Sequence, residues 1–149
     1  MKLFASNRRA RHDYFVEKKV VAGMVLCGSE GNAIRLGRMS LRDAFVDFRN
    51  SEAWLIGAHI GEYPYARHYT HEPTRERKLL LSADEIYRLQ RKVREKGHTI
   101  VPLDVHLSES GWIKMTLGLA RGKRKVDKKE TIKARDRERD MKREMNQHR

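Results

Sequence analysis

Apolar and polar positions alternate over short distances along most of the first 120 residues, and this spacing predicts strands. Residues 13 to 27 (DYFVEKKVVAGMVLC) mix aromatic and β-branched side chains, with Val20, Ala22, Met24 and Leu26 two apart, so a half-buried strand is expected to end at Gly28. Ala44 to Arg49 and Glu52 to Ile60 are two more apolar runs. Asn50 and Ser51 part them, which is the length of a tight hairpin loop. Thr99 to Leu107 and Trp112 to Leu119 flank the turn-forming Ser108, Glu109, Ser110 and Gly111. In the second arm Ile113, Met115, Leu117 and Leu119 share one face, with Lys114 and Thr116 on the other. One segment has the helical period instead. Ser82 and Glu85 form a capping box, Ile86, Leu89 and Val93 recur on one side, and Gly97 closes the helix.

Five or six antiparallel strands with one long helix suit a small closed or partly closed barrel, because closure removes exposed edges. The expected fold is mainly β: an OB-like antiparallel barrel with short flanking helices, which the pattern alone does not separate from a small sandwich. Trp54 and Trp112 are expected in its core. The pattern stops at residue 118. From Leu119 to Arg149 the chain has thirteen Lys or Arg against six Asp or Glu and no aromatic residue. Such a stretch buries too little apolar surface to offset the entropy of ordering, and should be disordered until a polyanion neutralises it. Two units follow: a barrel over residues 1–118 and a basic C-terminal tail over 119–149.

The formal net charge is +13, and both units are cationic. That balance points to RNA, DNA or the ribosome as partner. No apolar run is long enough for a signal peptide or a membrane span, and the single cysteine, Cys27, excludes an intramolecular disulfide, so a cytoplasmic protein is expected. Cys27 lies in an apolar strand with no nucleophile signature. His68, His71 and Glu72 are too few for a catalytic zinc site, and Pro73 keeps that segment out of a helix, so these histidines are expected on the surface or facing RNA. GSEGNAIRLG lacks the lysine and hydroxyl of a P-loop, and its GSEG matches the glycine clamp of a KH domain only loosely. No metal, cofactor or catalytic residue is expected. The informative clusters are Arg8, Arg9, Arg11 and His12, and then Arg75, Arg77 and Lys78 running into three leucines. Guanidinium groups suit phosphates and stack on bases.

Three stretches together resemble one family. NRRARHDYF (Asn7 to Phe15), EPTRERKLLL (Glu72 to Leu81) and GLARGKRKVDKKETIKARD (Gly118 to Asp136) are similar, colinearly from about Ser6 to Arg149, to the bacterial SsrA-binding proteins, also called small protein B. The resemblance implies an OB-type barrel that grips the tRNA-like domain of transfer-messenger RNA and brings it to stalled 70S ribosomes for trans-translation. The tail would enter the small-subunit decoding centre and the empty messenger channel and fold there as a helix. Elongation factor Tu and alanyl-tRNA synthetase would be reached indirectly through the RNA. Carried over residue by residue, the implied RNA contacts are Asn7, Arg8, Arg9, Arg11, His12, Glu30, Arg35, Arg75, Arg77, Lys78 and Leu80. The implied ribosome-reading residues are Gly122, Lys123, Arg124, Asp127, Lys128, Lys129, Ile132, Lys133 and Arg135. None is catalytic.

The chain departs from the family in places. Gly31 to Ile34 replace the usual Val-Lys-Ser-Leu, and a glycine there costs a helix about 1 kcal/mol relative to alanine. Val21 stands where many members have an acidic residue, and Val126 where they have an aromatic residue or histidine. The late tail has no tryptophan. The alternative reading is a structural ribosomal protein or another OB-fold translation factor, which would share the barrel, the charge and the tail.

Overall fold

The computed structural model describes residues 2–66 and 70–122. In chain order these are β1 (Lys2–Ser6), α1 (Arg8–Asp13), β2 (Tyr14–Met24), α2 (Gly28–Arg35), β3 (Met39–Ser40), β4 (Phe45–Arg49), β5 (Glu52–Ile56), β6 (His59–Ile60), β7 (Arg77–Leu80), α3 (Ala83–Lys96), β8 (Thr99–Leu107) and β9 (Ile113–Gly122). Seven strands form one sheet in the order β1-β8-β9-β2-β7-β5-β4, and every pairing is antiparallel. The sheet curls until β4 approaches β8, and the short β3–β6 pair lies alongside. The architecture is the mainly antiparallel, OB-like barrel that the alternating pattern predicts.

The turns follow from local chemistry. Asn50 and Ser51 both have positive φ, 51° and 62°, the backbone of a two-residue hairpin whose twist matches that of β4 and β5. The Ser82 hydroxyl accepts from the Glu85 amide at 3.1 Å while the Glu85 carboxylate accepts from the Ser82 amide at 3.1 Å. Gly97, at φ 68°, closes the other end of α3. Inside the curl, Leu55, Ile60, Val105, Met115 and Leu117 are fully buried. Ala33 and Ile34 of α2 and Leu89 of α3 join the same core. A second, smaller cluster of Ala10, Val101, Leu103 and Ala120, with Tyr14 and Val16 against it, seats α1 on the sheet.

Four expectations change. Gly28 does not end a strand but opens α2, which forms although it contains Gly31. Its Ala33 and Ile34 have no exposed surface, so tertiary packing outweighs the glycine. GSEG is thus the first turn of a helix that follows a strand, not a loop between two helices. β9 runs to Gly122, with Leu119 paired to Ile100 and Ala120 to Thr99, both buried, so the division at 118/119 falls inside a strand. Trp112 is 69% exposed beside the β8–β9 turn, and Trp54 is only half-buried. An indole pattern cannot tell a core strand from a strand end, because tryptophan is amphipathic and tolerates both.

Gly57 fixes the loop that precedes β4. Its φ is +81°, and a Cβ there would lie 2.6 Å from the Asp43 carbonyl oxygen. Gly57→Ala therefore meets both backbone strain and a rigid clash, and is expected to destabilise the fold by roughly 2 kcal/mol or more, read as a lower urea midpoint with an unchanged slope.

Candidate nucleic-acid interface

The first arginine cluster is built by Asn7. Its backbone amide donates to Leu103 O at 2.8 Å. Its side-chain Nδ2 donates to Pro102 O at 2.9 Å and Leu41 O at 3.4 Å, and Oδ1 accepts from the Ala10 amide at 3.0 Å. One buried amide side chain thereby caps α1 and ties it to the bulge in β8 and to the loop after β3. With Ala10 buried, α1 presents Arg8, Arg9, Arg11 and His12 outward. Arg9 lies 3.7 Å from Asp13 and 4.0 Å from Asp43. Arg11 reaches Asp104 at 3.3 Å, and the other oxygen of that carboxylate is 2.9 Å from His106 Nδ1. Asn7 is thus a positioning residue, buried under the helix and not itself facing a ligand.

The second cluster is organised by Glu30. Its carboxylate accepts from the Cys27 amide at 2.8 Å, from Arg75 at 2.5 and 3.1 Å, and from Arg77 Nε at 2.7 Å. Arg77 spends its remaining donors on Ala58 O at 2.9 Å, Pro73 O at 3.0 Å and Glu72 O at 3.3 Å. Both Glu30 and Arg77 are fully buried. Of the residues expected to contact RNA, these two are placed inside the protein, where their polar atoms lock α2, β7 and the loop of residues 72–75 together. Burial alone would raise the Glu30 carboxyl, but the hydrogen bonds from Arg75, the Cys27 amide and Arg77 outweigh it and lower the pKa to about 2.

His71 is corrected too. It is 1% exposed, with Nε2 2.8 Å from Ile60 O and Nδ1 2.9 Å from Ser29 Oγ. A carbonyl can only accept, so Nε2 donates to Ile60 O, while Nδ1 meets the Ser29 hydroxyl. His68 lies outside the described residues.

On the accessible side of the second cluster stand Arg75, partly exposed, Lys78, which is 2.7 Å from Glu52, and Leu80, 53% exposed and packed over Gly23. Arg35 ends α2 and is exposed. The two clusters do not merge. α1 leads into the start of β2 at Tyr14, whereas Leu80 pairs with Gly23 near its end, a separation of roughly 30 Å along the strand. Sequence inspection missed Arg42, an isolated arginine in the loop after β3, which lines the same clefts as Arg8 and Arg9. Its signal is spatial, because contacts distant in sequence, Asn7 to Leu41 and Arg9 to Asp43, bring that loop to α1.

At the root of the tail, Glu17 is 2.6 Å from Arg121 and accepts from His98 at 2.9 Å. The His98 hydrogen bond and then Arg121 hold its carboxyl below the ordinary range. Gly122 is the last residue of β9 and pairs with Tyr14. Lys123, Arg124, Asp127, Lys128, Lys129, Ile132, Lys133 and Arg135 lie outside the described residues.

A small antiparallel barrel with arginines on an outer helix and a second basic edge on β7 is a protein of the OB-like, nucleic-acid-binding class. A family model described as SmpB protein matches residues 4–147. The SsrA-binding protein of Symbiobacterium thermophilum is 49% identical over 137 residues, covering 92% of this chain and 87% of that one. The SsrA-binding protein of Shouchella clausii is 46% identical over 142 residues, covering 95% and 90%. A solved structure described as "tmRNA-SmpB: a journey to the center of the bacterial ribosome" contains a chain that superposes with a TM-score of 0.66 at 42% identity, covering 79% of this chain and 82% of that one. The chain belongs to the SmpB protein family, and the relatives it matches are SsrA-binding proteins.

Two outcomes follow from the site. The depressed Glu30 pKa means that its ionised form stabilises the fold fully above the unfolded value near 4.5, and that this contribution is lost as the pH falls towards 2. Urea midpoints measured from pH 6 to 2.5 are expected to drop through that window, and Glu30→Gln should be weaker at neutral pH and flatter below pH 5. Asn7→Ala removes the cap and the side-chain bonds to Pro102 O and Leu41 O. It is expected to cost about 2 kcal/mol in urea unfolding.

Proposed function

We propose that this chain binds transfer-messenger RNA through its barrel and accompanies it to stalled ribosomes for trans-translation. The observation that carries this reading is the 49% identity to an SsrA-binding protein along 92% of the chain. The likeness to a chain described with transfer-messenger RNA and the bacterial ribosome supports it. The chemistry agrees. Two cationic surfaces about 30 Å apart along one strand suit a large folded RNA that touches both, and the exposed Arg8, Arg9, Arg11, His12, Arg35 and Leu80 with the partly exposed Arg75 and Lys78 are the side chains that face it. The tRNA-like domain is the part of that RNA with a matching compact shape. Asn7, Glu30 and Arg77 act by holding those side chains in place.

The barrel extends through Gly122, and the basic tail begins at Lys123. In this reading the tail folds as a helix within the decoding centre and the empty messenger channel, where rRNA phosphates neutralise its charge. The protein works in the cytoplasm and contributes no catalytic group. Peptide transfer belongs to the ribosome, and elongation factor Tu and alanyl-tRNA synthetase are met through the RNA.

Truncation after Gly122, which leaves β9 intact, is expected to preserve binding to transfer-messenger RNA and to abolish tagging of peptides on stalled ribosomes. Loss of RNA binding in the truncated chain would contradict the division of labour. The affinity of the full chain should fall steeply with salt. Each phosphate contact removed by substitution should flatten the log–log plot by roughly 0.7 to 0.9, and an affinity indifferent to salt would contradict the reading.

A further inference from the structure

The loop between β3 and β4 is held rigidly, yet it carries an arginine and an aromatic ring that the fold does not use. Leu41 is 2% exposed, its carbonyl accepts from Asn7 Nδ2 and from the Ala44 amide at 3.0 Å, and the Asp43 carbonyl is pressed against Gly57. The Arg42 amide donates to Ser40 Oγ at 3.3 Å. Arg42 itself points into solvent, and among the described residues neither it nor Arg8 has a carboxylate within ion-pair distance. Phe45, the first residue of β4, is 51% exposed.

These groups surround two clefts that meet at α1. One, of about 310 Å³, is lined by Asn7, Arg9, Asp13, Arg42 and Phe45. The other, of about 290 Å³, is lined by Arg8, Arg9, Ser40 and Arg42. Arg9 and Arg42 line both, as does the buried Asn7. The carboxylates of Asp13 and Asp43 already hold Arg9, so the uncommitted positive charge sits on Arg8 and Arg42. Phe45 shares one cleft with Arg42, and Arg42 shares the other with Arg8; a partly exposed phenyl ring in a cleft with an uncommitted guanidinium is the pairing that binds a base by its π-face and a flanking phosphate by charge. Only an unpaired base offers a free face to such a ring.

We infer that Arg42 and Phe45, with Arg8, form a nucleotide subsite, in which Phe45 stacks one unpaired base of the bound RNA while Arg42 and Arg8 grip its adjoining phosphates. The subsite rests on the proposed binding of transfer-messenger RNA and extends the α1 face onto the β3–β4 loop.

The test uses the full chain and transfer-messenger RNA, with affinity measured across a salt series and base reactivity mapped by chemical probing. Arg42→Ala should flatten the salt plot by roughly 0.7 to 0.9. Phe45→Leu should weaken binding about tenfold with the slope unchanged, and should restore the reactivity of one unpaired base that the wild type protects. Phe45→Tyr, which keeps a stacking ring, should behave as the wild type. Urea midpoints separate loss of fold from loss of contact, and should Phe45→Leu prove unstable, the Arg42→Ala slope and the Phe45→Tyr protection decide. An unchanged slope for Arg42→Ala, or protection that survives Phe45→Leu, overturns the subsite. Failure of the wild type itself to bind this RNA would instead overturn the functional reading on which the subsite rests.

Discussion

A carboxylate and a guanidinium with no water-exposed surface hold together the parts of this protein that look outward at β7. Glu30 and Arg77 come from segments 47 residues apart, and their pairing leaves neither with a spare polar atom. Taking two charges out of water is costly, and the cost is offset because every polar atom of the pair has a partner: Arg75 and the Cys27 amide on the carboxylate, and three backbone carbonyls on the guanidinium. One interaction therefore sets where α2 begins, where β7 runs, and how the loop of residues 72–75 presents Arg75. Removing either partner strands the other charge in the interior, and the exposed neighbours lose their placement with it.

Asn7 does the corresponding work at the other end of β2. Its one amide side chain makes three hydrogen bonds that bring α1, the β8 bulge and the β3–β4 loop together. Both clusters follow the same plan, in which a buried polar residue with all its bonds satisfied sets the position of flexible cationic side chains at the surface. Lysine and arginine lose much rotamer entropy when fixed, so a rigid base beneath them favours a defined binding face. The two clusters stand roughly 30 Å apart along β2.

Much of this is legible in the order of residues along the chain. The capping box at Ser82 and Glu85, the hairpin at Asn50–Ser51 and the β8–β9 pair each declare themselves by local chemistry, and the structure has all three. The three family-like stretches, from Asn7 to Asp136, lie within the residues 4–147 that the family model matches. What the chain alone does not reveal depends on contacts distant in sequence. Glu30, Arg77 and Asn7 look like RNA contacts because polar residues in a basic neighbourhood usually face outward, and only the fold shows them turned in. Trp112 looks like core and is exposed. Composition delimits the tail, and composition cannot see that Leu119 and Ala120 still pair with β8. Arg42 carries no local signal at all.

In the proposed reading the Glu30–Arg77 pair serves RNA binding from inside the protein. A double-mutant cycle of Glu30→Gln, Arg77→Met and the two combined, with unfolding free energy and affinity for transfer-messenger RNA measured on the same samples, tests it directly. Each single change should cost roughly 3 to 5 kcal/mol of stability, the double change should cost clearly less than their sum, and affinity should track the folded fraction throughout. A Glu30→Gln protein that keeps the stability of the wild type but loses the RNA would mean that the carboxylate touches the ligand, and would contradict the account.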